Sequence, residues 1–432
     1  MMHKSLRAGL LAGAVAVTLC GRVAYAEETP AADDKPPAPP PELTFSLQLE
    51  GGVTSSFTST SSNRVFGRLF DDQESQPVIN QALLTAGKAL DPAATGYDLG
   101  FKLQGMFGSD ARYTRFTNEF QGMSADSLYQ FDLVEANVLL HTPWLSEGGV
   151  DFKLGQYSTP IGAEVIDPSG NLFYSHSYIF NYGIPLKHTG VMATWHATPM
   201  VDLYASLDTG VNTGFKGIPG HAQNSGPPAF LGGIGLNLLG GDLTLLALAH
   251  IGTETPDAAI ANGVLPATVK PDSAYREIYD LVTIWKVNEN LTLTNEINGF
   301  HDDALKADGY GMAQYASWAV NDTLSVVGRG EIFVDDENAL VSQFGANGDF
   351  LRIEEGYPAT SAYTVTGGPA GQRTTYGELS LGLNYKPKLD PFSALVIRPE
   401  LREDTVLDGG HPFHDGRDKS QTTVSIDFIL GF

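Results

Sequence analysis

Hydrophobic and polar residues alternate with a period of two along much of this chain. The final segment shows the pattern clearly, because five apolar residues recur there at every second position. The apolar positions are Val424, Ile426, Phe428, Leu430 and Phe432. Side chains alternate across a β-strand, so these five residues share one face and the polar residues share the other.

The same alternation recurs in the middle of the chain, for example in 201–208 and 378–385. A β-sandwich alternates as well, but over shorter strands and with its apolar face turned inward. Strands of about 10 residues with one apolar and one polar face are typical of barrels that meet lipid outside and water inside. The pattern therefore predicts an all-β fold, a transmembrane antiparallel β-barrel. Around 129–140 the phase slips near Leu133 and Val134, which indicates a β-bulge.

The alternating segments predict about 16 strands, although 14 or 18 also fit the pattern. An even number brings both ends of the chain to the periplasmic side. The predicted strands are 43–57, 97–108, 112–121, 127–141, 149–157, 188–197, 200–209, 229–239, 242–252, 274–286, 290–301, 310–320, 322–334, 373–386, 393–404 and 420–432.

The predicted connections alternate between short and long, as the short periplasmic turns and long external loops of outer-membrane barrels do. The short turns are rich in Gly, Pro, Asn and Asp, which favour turn conformations. They are 108–110, 142–149, 198–199, 240–241, 288–290, 321–322 and 387–391. The long loops are 58–96, 158–187, 210–228, 253–273, 335–372 and 405–419, with shorter outer loops near 122–126 and 302–309.

All four tryptophans lie in or within about three residues of a predicted short turn. Amphipathic indole rings concentrate at membrane–water interfaces. We therefore expect a tryptophan girdle at the periplasmic interface. Its members are Trp144, Trp195, Trp285 and Trp318.

The amino terminus is typical of a secretory signal peptide. Lys4 and Arg7 precede an apolar run over 8–19, and Ala24 and Ala26 form a small-x-small cleavage site. The apolar run is shorter than the roughly 20 residues that a membrane-spanning helix needs. We expect export and cleavage after Ala26.

Three parts of the chain follow from this assignment: a signal peptide over 1–26, a Pro-rich periplasmic linker over 27–42, and a barrel domain over 43–432. Cys20 is the only cysteine and would leave with the signal. An exported chain without disulfides must gain its stability from burial or from a closed sheet.

The chain is strongly acidic, with a formal charge of −24. Removal of Lys4, Arg7 and Arg22 with the signal peptide would leave −27. Nucleic-acid binding requires a basic footprint, so the composition argues against nucleic-acid partners. The acidity suggests a weak preference for cations, although much of it could lie in exposed loops.

Four segments resemble bacterial outer-membrane porins, and most of all the putative beta-barrel porin-2 family: 152–171, 174–191, 394–405 and the terminal strand. The Pro-rich linker departs from the family pattern. The resemblance implies an outer-membrane channel for passive diffusion of ions and small hydrophilic solutes. It also implies recognition of the strand ending at Phe432 by the barrel-assembly machinery, contact with outer-membrane lipid, and a homotrimer.

Loop 158–187 is the candidate for the constriction, because one loop folds into the barrel in general porins that this chain resembles. Its alternative is an external loop packed on its neighbours. Candidate residues lining the narrow zone are Glu164, Asp167, His176 and Lys187.

Arg398, Glu400 and Arg402 share one strand face at spacing i, i+2, i+4, and Arg329 and Glu331 form a similar pair. An arginine facing lipid at the midplane costs about 2–4 kcal/mol, so these five side chains are predicted to face the lumen. Two roles stay open: a charged ladder that orders permeating ions, or an ion-pair network that holds the barrel wall. Pro399 removes one ladder donor and predicts a local irregularity.

Other chemistry has weaker support. His411 and His414 lie in a loop without a further ligand at a recognisable spacing, so neither a metal nor a cofactor is predicted. Ser175 and His176 form a tight Ser/His pair without an evident orienting acid, so an outer-membrane lipid hydrolase is a minor alternative. A surface-binding or adhesin barrel, with loops 58–96 and 335–372 as its contact surface, is the other alternative.

Overall fold

The computed structural model describes residues 41–432 except 59, 117–127, 212, 215–226, 346–348, 355, 361–363, 366–370 and 390–391. The predicted signal peptide, most of the predicted linker and the predicted outer loop 122–126 lie outside the described residues. The strands are β1 Thr44–Ser56, β2 Val78–Lys88, β3 Asp98–Gly108, β4 Gln130–Thr142, β5 Val150–Ser158, β6 Lys187–Thr198, β7 Val201–Asp208, β8 Ala229–Leu238, β9 Leu243–Thr253, β10 Tyr275–Lys286, β11 Leu291–Asp302, β12 Ala307–Asn321, β13 Leu324–Asp335, β14 Ser342–Gln343, β15 Thr364–Val365, β16 Thr374–Tyr385, β17 Ala394–Asp408 and β18 Ser420–Gly431.

Sixteen of these strands form one closed antiparallel barrel. Each pairs with its neighbours in sequence, and β1 closes the ring by pairing with β18 from Gln48–Gly431 to Ser56–Thr423. The ring passes from β13 to β16, because the short strands β14 and β15 pair only with each other in the connection between them. The predicted fold and strand number are confirmed. Closure leaves no strand edge, so every strand has a hydrogen-bonding partner on both sides.

Among the described residues, helical structure is confined to short turns between the strands. These are α1 Ala111–Thr114, α2 Asp257–Ala261, α3 Asp349–Glu354 and α4 Phe413–Gly416, three 3₁₀ turns at Pro168–Gly170, Leu239–Gly241 and Pro271–Ser273, and a π turn at Ile179–Gly183. Within the described part of the chain, no helix has the length and apolar character needed to cross a membrane.

Short and long connections gather at opposite ends of the barrel, here called the short-turn end and the loop end. At the short-turn end, β6 joins β7 and β12 joins β13 within two residues each. At the loop end, β5 joins β6 through 159–186 and β13 joins β16 through 336–373. The alternation predicted from the sequence is confirmed, apart from the region between β1 and β4.

The outside of the barrel is apolar and its inside is polar. In β18, Val424 and Phe428 are exposed on the outer face, whereas Thr423 and Asp427 between and beside them are buried toward the interior. β7 and β16 alternate in the same way. This arrangement buries the charged residues inside and leaves an apolar surface outside, which suits a protein surrounded by lipid.

The tryptophans lie at the short-turn end, as predicted. Trp144 is in the turn after β4, and Trp195, Trp285 and Trp318 are near the short-turn ends of β6, β10 and β12. The Trp144 indole N–H donates to the Tyr97 hydroxyl at 3.0 Å, and the two rings stack edge to face.

Between β1 and β4 the sequence prediction was wrong. Strand β2 runs through the middle of the predicted loop 58–96. The predicted strand 112–121 begins instead with α1, and its remainder falls largely outside the described residues. The predicted turn 108–110 therefore lies at the loop end. One strand was missed and one was predicted where α1 lies instead, so the predicted number of strands is still 16.

Two predicted irregularities are present. β3 pairs Gln104 with Glu135 and then Gly105 with Leu133, so Val134 is the extra residue of a bulge. β16 pairs with β17 at Gly382–Glu400 and again at Tyr385–Ile397, on either side of Pro399. The missing proline N–H accounts for the second interruption.

Candidate functional site: an infolded loop on a belt of arginines and carboxylates

The connection 159–186, here called the crossing loop, runs through the barrel interior from one wall to the opposite one. It leaves from β5 and returns to β6, yet its middle contacts β13, which lies eight strands from β5 in the ring. Most of its residues are buried, including Tyr178 and Ile179, which have no exposed surface. The loop is therefore infolded as predicted, rather than packed outside the barrel.

Carboxylates of the far wall hold the backbone of the crossing loop. Glu331 accepts the Tyr178 N–H at 2.7 Å and the Ile179 N–H at 2.8 Å. Glu400 accepts the Ser175 N–H at 3.0 Å. These charge-assisted bonds satisfy N–H groups that would otherwise be orphaned by leaving regular structure inside the barrel.

Arginines of the same wall bind the carbonyl oxygens of the loop. Arg398 Nη1 donates to Pro168 O and to Asn171 O, both at 2.8 Å. Arg402 Nη1 donates to His176 O at 2.6 Å. The guanidinium group offers five donors in a fixed geometry, so one side chain can hold the loop and still bind a carboxylate.

The same arginines form a buried belt of ion pairs. Arg329 binds Glu164 at 2.7 Å and Glu378 at 3.1 Å, so it joins the loop to the wall. The belt consists of Arg68, Arg329, Arg398 and Arg402 with Glu50, Asp71, Glu164, Glu378, Asp404 and Asp427. Its four arginines face six carboxylates, so the belt carries excess negative charge when all are ionised.

All nine residues predicted to line the pore point into the barrel interior or lie in the crossing loop. Five of them are joined by direct bonds or through Ser175: Glu164, His176, Arg329, Glu400 and Arg402. Glu331 and Arg398 have other partners, and each binds the backbone of the crossing loop at another point. Asp167 lies beside them, accepts from the Gln48 amide at 2.8 Å and caps the turn at Ser169. Lys187 is separate, because its ammonium binds Asp132 at 2.6 Å and lies over the Phe116 ring.

Sequence analysis missed a second infolded segment, residues 60–74 between β1 and β2. Phe66, Leu69 and Phe70 are buried, and the Phe70 ring lies 4.8 Å from the His176 ring of the crossing loop. Arg68 binds Asp404 of β17 at 2.9 Å. The available signal was the run of apolar residues inside a predicted loop, which is unusual for a loop exposed to water.

The segment is held from its other side by α1. Arg112 makes two bonds to Asp72, at 2.9 and 2.6 Å, and the Tyr113 hydroxyl donates to the same carboxylate at 2.9 Å. Three connections from the loop end thus converge inside the barrel, and they narrow it together.

Ser175 and His176 have separate partners and do not form a catalytic pair. The Ser175 hydroxyl donates to Glu400 and receives a bond from Arg329 at 2.9 Å. His176 lies against Glu164 at 2.8 Å and stacks on Phe180 with ring centroids 4.0 Å apart. Both residues are buried inside the barrel rather than on its outer wall, where a lipid substrate would be met.

The buried carboxyl of Glu164 is expected to make the stability of the barrel depend on pH. Burial raises the pKa of its carboxyl, but Arg329, His176 and the Ser177 N–H outweigh burial and lower the pKa to about 2 from 4.5. A carboxyl whose folded-state pKa is depressed stabilises the fold above its unfolded value, and this contribution is lost as the pH falls through the folded value.

We therefore expect the thermal unfolding temperature to fall between pH 4.5 and pH 2. Glu164→Gln is expected to flatten this part of the profile, as measured by circular dichroism during heating. Glu147→Gln, in the exposed turn after β4, serves as the control and should keep the wild-type slope. An unchanged slope in Glu164→Gln would contradict this assignment.

An all-β barrel with a crossing loop and a charged belt defines the class of transmembrane channel barrels. The chain matches the family described as putative beta-barrel porin-2, OmpL-like, over residues 42–432. It belongs to this family, and it is a porin of the bacterial outer membrane, a channel for solute diffusion. A comparison by sequence with curated proteins gives no match.

Solved porin structures share the fold at low sequence identity. The outer membrane channel DcaP of Acinetobacter baumannii is 12% identical with a TM-score of 0.54, covering 91% of this chain and 98% of that chain. An anion-selective porin from Comamonas acidovorans is 11% identical with a TM-score of 0.52, covering 90% of this chain and 99% of that chain. Salmonella typhi OmpF, in complex with daunomycin, is 7% identical with a TM-score of 0.55, covering 91% of this chain and 98% of that chain.

Proposed function

We propose that small cations and small hydrophilic solutes diffuse through the barrel past the crossing loop, and that the loop and belt set the size and charge limits. The observation that carries this proposal is the route of the loop across the full width of the barrel. A loop held at both walls narrows the interior to the space beside it, so only small solutes pass.

The charge of the belt supports a preference for cations. When all are ionised, six carboxylates against four arginines give an excess of negative charge in a region of low dielectric constant, where fixed charges act strongly on ions. Because each arginine is paired with a carboxylate, the electric field of the belt is limited, and the preference for cations is expected to be weak. The belt thus combines both roles that the sequence left open, ion ordering and support of the wall.

The test is single-channel recording of the mature protein in a planar bilayer under a salt gradient. We expect stable ohmic steps of small size and a reversal potential on the cation-selective side. A clear anion-selective reversal potential would overturn the charge assignment. Absence of steps from a folded, heat-modifiable barrel would overturn the open route past the loop.

We also propose how the protein reaches its site and assembles. The sequence at 1–26 supports export by a signal peptide. The last strand supports recognition by the assembly machinery, since the Phe432 ring is half exposed beside Phe392 at the short-turn end. A homotrimer in outer-membrane lipid is the expected assembly, and crosslinking of the detergent-solubilised protein would test it.

The channel needs no catalytic step. The alternative of an adhesin loses part of its predicted contact surface, because much of the segment before β2 is buried inside the barrel and β2 itself belongs to the wall.

A further inference from the structure

Two histidines and an aspartate meet inside the barrel wall near the loop end, outside the belt. His188 lies on β6, Asp208 ends β7 and His250 lies on β9. Their side chains have no exposed surface, and one ligand atom from each lies within 4.8 Å of the other two. Three elements of the barrel thus bring metal-ligating groups to one buried point.

The spacing of these atoms is close to that of three ligands in a tetrahedral metal site, whose fourth position would be taken by water. Asp208 Oδ1 lies 3.1 Å from His250 Nε2, and Asp208 Oδ2 lies 3.6 Å from His188 Nδ1. Ligands about 2.0–2.1 Å from a zinc ion in tetrahedral geometry lie about 3.3 Å apart. The two observed distances lie near this value but involve different oxygens of Asp208, and the three ligand atoms lie within 4.8 Å of one another, so the side chains must move closer together to share one ion.

The ring nitrogen of His188 that faces Asp208 has no hydrogen-bond partner among the described residues. The other ring nitrogen, Nε2, lies 2.9 Å from the Thr159 hydroxyl. If Nε2 carries the proton and donates it to Thr159, the lone pair of Nδ1 points toward Asp208. A buried nitrogen without a partner is costly, whereas a metal ion would use this lone pair.

His250 has a similar arrangement behind its ring. Its Nδ1 faces Glu254 Oε1 at 3.8 Å, and this pair of buried atoms also lacks hydrogen-bond partners among the described residues. Glu254 is itself positioned by the Val211 N–H at 2.7 Å. A carboxylate behind a ligating histidine fixes the ring and raises its basicity, which is usual at metal sites.

A glycine allows the close approach of the strands here. Gly190 on β6 is paired with Asp208 on β7, and a Cβ at Gly190 would lie 2.8 Å from the Asp208 Cβ and 2.2 Å from the Leu207 carbonyl oxygen. No other residue fits at this position without displacing Asp208. The aspartate is thereby held in place beside His188.

We propose that His188, Asp208 and His250 bind a divalent transition-metal ion of the zinc type. Imidazole nitrogens favour Zn²⁺, Ni²⁺ or Cu²⁺ over Ca²⁺ and Mg²⁺, which take oxygen ligands. Thr159 opens the crossing loop, so the ion would tie the start of that loop to three strands of the wall. This proposal does not depend on the direction of ion selectivity.

The test is binding of Zn²⁺ to the untagged mature barrel, folded in detergent and stripped with a chelator. Isothermal titration calorimetry is expected to show one tight site per chain. His188→Gln and His250→Gln should each weaken this site at least about tenfold. His301→Gln is the matched control, because His301 also lies beside two carboxylates, Asp303 and Asp308, but is exposed.

Equal zinc binding by wild type and all three variants would mean an adventitious ion only and would overturn the proposal. So would the absence of zinc binding by the folded wild-type protein. If the histidine variants do not fold, a second measurement on the wild-type protein tests the proposal instead. Co²⁺ should give the visible absorption of a tetrahedral site, and Zn²⁺ should raise the unfolding temperature; an octahedral Co²⁺ spectrum would also overturn the proposal.

Discussion

Removal of residues 163–183 from the crossing loop is expected to raise the single-channel conductance several-fold. The loop spans the interior between β5 and β13, so its removal clears the space beside the belt. The ends of the deletion are already adjacent, because a Cβ at Gly162 would lie 2.6 Å from Ile184 Cδ1. A few glycines can therefore join them without disturbing the strands.

The same variant should show a weaker preference for cations. It loses Glu164 and Asp167, whereas Arg329 and Arg402 stay on the wall and become exposed to water. Planar-bilayer recording of conductance and reversal potential measures both effects. Deletion of 263–269, an almost wholly exposed stretch of the connection between β9 and β10, is the control and should leave both unchanged. A loop-deleted barrel with wild-type conductance would show that the crossing loop does not limit the channel.

Arg329→Ala is expected to lower the free energy of unfolding by about 3–5 kcal/mol. Arg329 is 1% exposed and binds Glu164 and Glu378. Its removal takes the nearest guanidinium from two buried carboxylates, which costs more than the pairs themselves contribute. Equilibrium unfolding in urea, followed by tryptophan fluorescence, measures the difference.

A second substitution separates lost charge pairing from lost packing. Arg329→Ala combined with Glu378→Gln should recover part of the stability, because one orphaned charge is removed. Arg373→Ala is the surface control, because Arg373 is largely exposed and lies 3.6 Å from Asp336. Its cost should be at most about 1 kcal/mol. Strictly additive losses in the double variant would indicate that packing dominates.

The barrel was predictable because each strand repeats one physical rule. Lipid outside and polar groups inside impose a period of two, which β7 follows throughout and β18 follows except at the inward Ile429. Strand β2 was not predicted because it contains a bulge: β1 pairs Glu50 with Gln81 and then Gly51 with Ile79. Asn80 and Gln81 are consequently both buried, and the alternation that marks a strand is lost.

The predicted strand from residue 112 failed for a different reason. Its apolar residues Tyr113, Phe116 and Phe120 recur at spacings of three and four residues rather than two, so the stretch lacks the period of a strand. Arg112 and Tyr113 are buried by their bonds to Asp72 rather than by a strand neighbour. Tertiary contacts with the segment before β2 decided the local structure here.

The candidate site was only partly visible in the sequence. Strand spacing placed Arg398, Glu400 and Arg402 on one inward face, and the length of the crossing loop marked it. The partners of those arginines could not be predicted, since Pro168 and Asn171 lie more than 200 residues away in sequence. The cluster of His188, Asp208 and His250 was hidden for the same reason, because β7 and β9 are not neighbours.

The distant contacts of the crossing loop bear on the order of folding. The loop belongs to the first half of the chain, but Tyr178 bonds to Glu331 across 153 residues and His176 to Arg402 across 226. Its docking partners exist only after β13 and β17 have joined the wall. Contacts of such large sequence separation form late, because chain entropy opposes them until the intervening strands are paired. Protection of the loop from proteolysis would thus report completion of the barrel. In a chain whose folding stops before β17 joins the wall, the loop would remain accessible to protease.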